Sequence, residues 1–264
     1  MYIFRLNLVL LIILGVCVAA SAKTPEEQGM ELAVEADKRD IGWHDNQSAS
    51  KMVLRNSHGE ESIREFRRFA FEVNEPGMGD KSIVVFDSPK DIKDTALLSH
   101  TKILKPDNQW LYLPALKRVK RISSSNKSGP FVGSEFAFED LLSQEVDKYS
   151  YKFLGEEVCS NLECYKVERV PLYKNSGYTK QIIWWDKEEY RIQKIEFYDR
   201  KNSLLKTLVY SDYNLYLDNY WRARLLSMQN HQTGKSTDLV FENWEFNLGQ
   251  KENFYTPNKL KRER

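Results

Sequence analysis

From residue 52 to residue 247 the chain alternates with a period of two, broken by frequent turn signals and by one longer interruption at 114–147. No strand–helix–strand rhythm runs through it. Alternation of this kind puts successive side chains on opposite faces of a sheet. Strands joined by short turns pair antiparallel, whereas a parallel sheet needs crossover helices. The expected class is therefore mainly β with a few helices. Met52–Asn56 and Ile63–Val73 read as a hairpin around Ser57-His58-Gly59, followed by Ser82–Phe86, Thr101–Leu104 and Gln109–Leu113. The second half gives Tyr149–Gly155, Glu163–Pro171, Thr179–Asp186, Tyr190–Asp199, Leu204–Leu215, Tyr220–Gln229 and Thr237–Asn247.

One helix is expected before the strands. Thr24 is a good N-cap, Pro25 suits the first helical position, and Glu26 and Glu27 favour the positive helix end. The helix is expected to stop before Gly42-Trp43. The C-terminal segment from Lys251 carries Phe254-Tyr255 and is expected to fold back across an edge.

The first 22 residues read as a secretory leader: Arg5 near the start, an apolar run from Leu6 to Val18, and Ala20-Ser21-Ala22 before Lys23. The run is short for a transmembrane anchor. Lipid attachment at Cys17 is the other alternative, and Val16 before it is larger than that chemistry favours. The expectation is a single domain over 23–264, exported to the periplasm. Cys159 and Cys164 then remain, with four residues between them. That suits a disulfide across a tight hairpin in an oxidising compartment. A metal site would need further ligands, and none lies nearby.

The chain has 39 Lys+Arg and 38 Asp+Glu, and loss of Arg5 with the leader leaves the two equal. A polybasic nucleic-acid binder is excluded on that balance. His44, His58, His100 and His231 are isolated, and no nucleophile-elbow, zincin or phosphate-loop pattern occurs. No enzyme activity, metal or cofactor is expected.

Several blocks together resemble the outer membrane lipoprotein-sorting proteins of the wider LolA/LolB-like superfamily. They are Met52-Val53-Leu54, Trp110-Leu111-Tyr112-Leu113-Pro114-Ala115, the basic run ending at Arg121-Ile122, Phe131-Val132-Gly133-Ser134-Glu135-Phe136, and Asp140-Leu141. The resemblance spans nearly all of the mature chain. It implies a strongly curved antiparallel sheet forming an unclosed β-barrel covered by α-helices, with an apolar cavity between. It also implies a periplasmic carrier of lipid or of the acyl chain of a lipoprotein. Transient membrane contact and an inner-membrane exporter of the resistance–nodulation–division type are the implied partners. An adaptor or accessory subunit of a transporter that binds no lipid is the second reading.

The residues alone lead to a similar place. Strands here carry large apolar side chains on both parities, as in Leu204–Tyr210, and Trp184 and Trp185 fall on opposite faces. One face can pack on the helix; the other must be covered or must hold something apolar. Parity nominates Phe86, Trp110, Tyr112, Trp185, Phe197, Trp221 and Trp244 as cavity residues, with ordinary core as the alternative for each. Phe131, Phe136 and Phe138, on the interrupting segment, either close over cargo as a lid or anchor the segment to the core. A short helix is expected at Glu135–Gln144. Polar Ser123–Gly129 is a candidate hinge. Lys117, Arg118, Lys120 and Arg121 are candidates for docking on an anionic surface, with a solvated loop as the alternative.

Overall fold

The computed structural model describes residues 22–103 and 105–261. The leader expected at 1–22 and Cys17 fall outside that range, apart from Ala22. The helix α1 runs from Pro25 to Lys38 and opens with a capping box. The Thr24 hydroxyl accepts from the Glu27 amide at 3.2 Å, and the Thr24 amide donates to the Glu27 carboxylate at 2.8 Å.

Thirteen strands form one antiparallel sheet that curves without closing. The first meander is β1 (Asp45–Arg55), β2 (Glu61–Phe71), β3 (Met78–Ser88), β4 (Ala96–Lys102), β5 (Asn108–Leu113) and β6 (Arg118–Ile122). The second is β7 (Tyr149–Cys159), β8 (Leu162–Pro171), β9 (Lys180–Asp186), β10 (Ile192–Tyr198), β11 (Leu204–Tyr216), β12 (Tyr220–Asn230) and β13 (Ser236–Phe246). Each meander pairs in sequence order, and β1 pairs with β13 to join them. The free edges are therefore β6 and β7, and residues 123–148 must travel from one to the other. They do so as a string of 3₁₀ turns.

Three expectations change here. The basic run is not a loop: Arg118–Ile122 is an edge strand paired with β5. Its alternate residues carry charge rather than apolar groups, which hides a strand from pattern reading and protects an open edge from unwanted pairing. The short helix expected at Glu135–Gln144 is a single 3₁₀ turn at Phe138–Leu141. The cover contains one α-helix among the described residues, the rest being 3₁₀ turns.

Both faces of the sheet are used. The concave face holds the largest core, where Phe86, Phe131, Ile183, Trp185 and Met228 are buried with Ala33 of α1. Gly29 lets α1 lie directly on β7, because a Cβ there would meet the Lys152 and Phe153 backbone at 2.8 Å. On the convex face the C-terminal segment lies across β3–β5. Tyr255 and Leu260, each 1% exposed, pack on Ile83, Val85, Leu98 and Tyr112. Strands β3–β5 of the first meander are therefore buried on both sides. A third cluster joins Ile182 and Trp184 to the disulfide Cys159–Cys164. Ser160 and Asn161, at φ 48° and 66°, make the two-residue turn between those cysteines. Both central residues of such a turn need positive φ.

Truncating Tyr255 to Ala should lower the unfolding free energy by about 3 kcal/mol, the usual loss for a large aromatic in a sealed core. Denaturant titration measures it. Ligand binding on the opposite face should be unchanged.

Candidate ligand cavity

The concave face is only partly filled. Between the sheet, α1 and the crossing segment lies a cavity of about 920 Å³. Its deeper wall is apolar: Met52, Phe66, Leu208, Leu226, Leu239 and Phe241 from the sheet, and Phe131, Phe136 and Leu141 from the crossing segment. Ala33 and Ala36 keep the helix side shallow. The rim is charged. Asp37, Arg39 and Asp40 at the end of α1 face Glu72, Asp80, Glu145 and Arg222.

Of the seven aromatic residues nominated by parity, Trp185, Trp221 and Trp244 line this cavity, as do Phe131 and Phe136 of the three on the interrupting segment. Phe86 and Phe197 belong to the core beside it. Phe86 packs on Phe66 and Phe131, and Phe197 on Tyr178. Phe138 lines a separate cleft of about 370 Å³ with Ile92, Leu111 and Pro114. Trp110 and Tyr112 lie on the convex face under the C-terminal segment. The parity assignment of β5 was inverted, because the neighbour that faces the concave core is Leu111. The C-terminal cover supplies an apolar environment for the outward aromatics, and alternation alone does not tell the two faces apart.

The crossing segment is firmly held. Asp140 pairs with Lys206 at 2.7 Å, with both side chains about 95% buried, and accepts from the Tyr178 hydroxyl at 2.7 Å. Glu139 accepts from the Ser176 hydroxyl at 2.9 Å and the Gly177 amide at 2.7 Å. Asn230 donates to Glu135 at 2.6 Å, and Arg64 donates to the Val132 carbonyl. Lys127, inside the polar stretch expected to act as a hinge, is buried with Lys148 against Asp107. Parting a buried, hydrogen-bonded pair costs several kcal/mol. The segment is thus an anchored wall, and Phe131 and Phe136, 1% and 2% exposed, are seated in the core. Lys117, Arg118, Lys120 and Arg121 all project into solvent on or beside β6.

Sequence reasoning missed the arginines. Arg68, Arg169, Arg191 and Arg222 all line the cavity. Arg169 is 3% exposed, held by Gln181 at 2.7 Å and Gln144 at 2.6 Å and stacked on Tyr149. The signal was present in parity. Arg68 stands between Phe66 and Ala70 on the core-facing side of β2, where an apolar residue is the norm.

No curated protein matches the chain significantly. A family model described as "-like: Uncharacterized protein" matches residues 78–262. Among solved structures, a putative outer membrane lipoprotein-sorting protein domain from Vibrio parahaemolyticus is 51% identical, with 89% of this chain and 99% of that one covered and a TM-score of 0.87. The chain belongs to this lipoprotein-sorting protein family. A DUF1329 family protein from Desulfovibrio piger is 28% identical at a TM-score of 0.85, covering 90% of this chain and 100% of that one. A LolA superfamily protein from Nitrosomonas europaea, 19% identical at 0.70 over 90% of this chain and 99% of that one, shares the fold.

The rim carboxylates titrate in an unusual range. Burial, with Glu145 beside it, pushes Asp80 up to about 7. Burial and the same Glu145 push Asp37 up to about 6. An acid raised in the fold binds more protons there than in the unfolded chain, so its stabilising share is full below the unfolded value of 3.8 and is lost as pH rises through about 7. Asp80→Asn should therefore melt higher than the native chain at pH 8. The gap should shrink as pH falls toward about 5, followed by thermal melts across that range.

Proposed function

We propose that this protein is a periplasmic carrier of acylated, lipid-like cargo. The observation that carries the reading is the cavity of about 920 Å³ between sheet, helix and crossing segment. Its deep wall is apolar and its rim is charged. Sites for small ligands typically enclose roughly 300–1,000 Å³ with mostly apolar walls and a few placed polar groups. The relative named for outer membrane lipoprotein sorting supports the compartment and the cargo class. A soluble vehicle for acyl chains must hide them from water, at a gain of about 0.8 kcal/mol per buried methylene.

The exposed cations Lys117, Arg118, Lys120 and Arg121 extend this reading to delivery. They stand at the free edge β6, away from the cavity rim formed by α1, so docking there leaves the cargo mouth open. An inner-membrane exporter of the resistance–nodulation–division type, or the anionic membrane around it, is the partner we assign to that edge. The alternative, an adaptor that binds no lipid, is separated by one experiment. Protein purified from the cell envelope is extracted with organic solvent, and the extract is read by mass spectrometry. A carrier yields stoichiometric acyl lipid and binds fatty-acyl probes at micromolar affinity or better; an adaptor yields neither.

Trp221→Ala should weaken acyl-probe binding about ten-fold, measured by fluorescence titration. Reversing the four charges on and beside β6 should weaken association with anionic vesicles while leaving probe binding in solution intact.

A further inference from the structure

Two donors on the cavity wall lack matching acceptors. Arg68 carries five N–H groups, yet among the described residues its one side-chain hydrogen bond is from Nη1 to Asn46 Oδ1 at 3.3 Å. The other wall arginines are committed. Arg39 holds Glu35 at 2.8 Å, Arg191 holds Asp186 at 2.8 Å, and Arg222 holds Asp40 at 2.5 Å. Arg169 is taken by two glutamine oxygens. Burial draws the Arg68 pKa down from its usual value, and Arg222 adds to that effect. Asp80, one of the rim carboxylates whose charge acts on Arg68, has its own pKa pushed up to about 7 by burial. A guanidinium in a partly desolvated wall without a counter-ion is costly.

The second donor is Trp244, whose Nε1 is buried without an acceptor among the described residues. Its placement is the work of a β-bulge. The β1–β13 register jumps from Ala49↔Glu242 to Gln47↔Glu245. Asn243 takes φ 52° there, and the bulge turns the indole onto the cavity wall. Ser48 lies opposite that bulge and pairs on its other side with Arg68. Arg68, buried Ser48 and Trp244 thus form a row across three adjacent strands, about 10 Å from end to end by strand spacing. The row crosses the same face as the apolar wall, at the end where small polar residues replace Met52 and Phe66.

We propose that this row seats an anionic head group, with the Arg68 guanidinium and the Trp244 indole N–H donating to a phosphate or carboxylate whose acyl tail lies along the apolar wall. The inference rests on the carrier reading and adds the chemical class of the cargo. A guanidinium fork matches either anion in bidentate geometry. A neutral ester or hydroxyl oxygen can accept a hydrogen bond here but leaves the guanidinium without a counter-charge.

The test compares dodecyl phosphate, dodecanol and inorganic phosphate by calorimetry on the native protein and its variants. The native protein should bind dodecyl phosphate at least about ten-fold more tightly than dodecanol. Arg68→Gln should bring the two within roughly two-fold while leaving dodecanol binding unchanged. Arg68→Lys should keep an intermediate preference, and Trp244→Phe should lose roughly three-fold for the phosphate only. Without ligand, Arg68→Met should melt at or above the native temperature, because it removes an uncompensated cation. Equal native affinities, or a preference that survives Arg68→Gln, would overturn the proposal. So would inorganic phosphate binding as tightly as dodecyl phosphate, since the site would then serve a free anion. If neither amphiphile binds, the carrier reading fails first. If both bind without preference, only the head-group assignment fails.

Discussion

The pairing of β1 with β13 is the contact on which the rest of the molecule depends. It joins residues from opposite ends of the chain, Asn46 to Phe246 and Arg55 to Ser236, and turns two separate meanders into one sheet. Because the meanders meet at their first and last strands, β6 and β7 become the two outer edges. The chain between them crosses the concavity, where Phe131, Phe136 and Leu141 line the cavity. Its buried position, its lack of regular strand, and the hollow it roofs all follow from that connectivity. The bulge that re-aims Trp244 sits in the same pairing, so the joint that builds the sheet also shapes its inner wall.

A linker forced across an apolar hollow brings polar backbone with it, and each group must be satisfied. The structure meets this with side chains rather than with a helix. Asp140 is held by Lys206 and Tyr178, Glu139 by Ser176 and Gly177, and Gln109 donates to the Phe138 carbonyl. Buried pairs of this kind add little net stability over apolar substitutes, but they are expensive to break singly. Their effect is to hold the wall of the cavity in one place. The rim is built differently, from carboxylates crowded on α1, β3 and the end of the crossing segment, where protonation relieves mutual repulsion.

The second meander was legible strand by strand because turn chemistry and alternation agree there. Asn175-Ser176-Gly177, Asp199–Asn202 and Thr233-Gly234 mark the boundaries of β8–β13 to within a residue or two, whereas β7 runs on to Cys159, four residues past the expected Gly155. The first meander was less so. β1 begins at Asp45, well before Met52, because Asn46, Ser48 and Ser50 are small polar residues on an inward face. Their polar run lacks the apolar alternation that marks a strand, yet all three are buried and Asn46 lines the cavity. The same reason hides Arg68. Trp110 and Tyr112 were assigned to the wrong face because the cover over the convex side comes from residues 251–261, far away in sequence. Long-range cover and a locally polar wall are both invisible to periodicity, which reports only that two faces differ.

The C-terminal segment has a consequence for how the chain becomes this structure. As the chain emerges with its N-terminus first, β1–β5 form early as a ribbon with one bare face and one unpaired edge. Tyr255 and Leu260, which seal that face, and β13, which takes that edge, arrive last. Eleven of the twelve strand pairings join consecutive strands and one, β1 with β13, joins the ends of the chain, so the long-range closure is confined to that pairing and the C-terminal cover. Until that cover arrives the first meander keeps one apolar face open to solvent. The last residues of the chain thus complete what its first strands leave open, both the face and the edge.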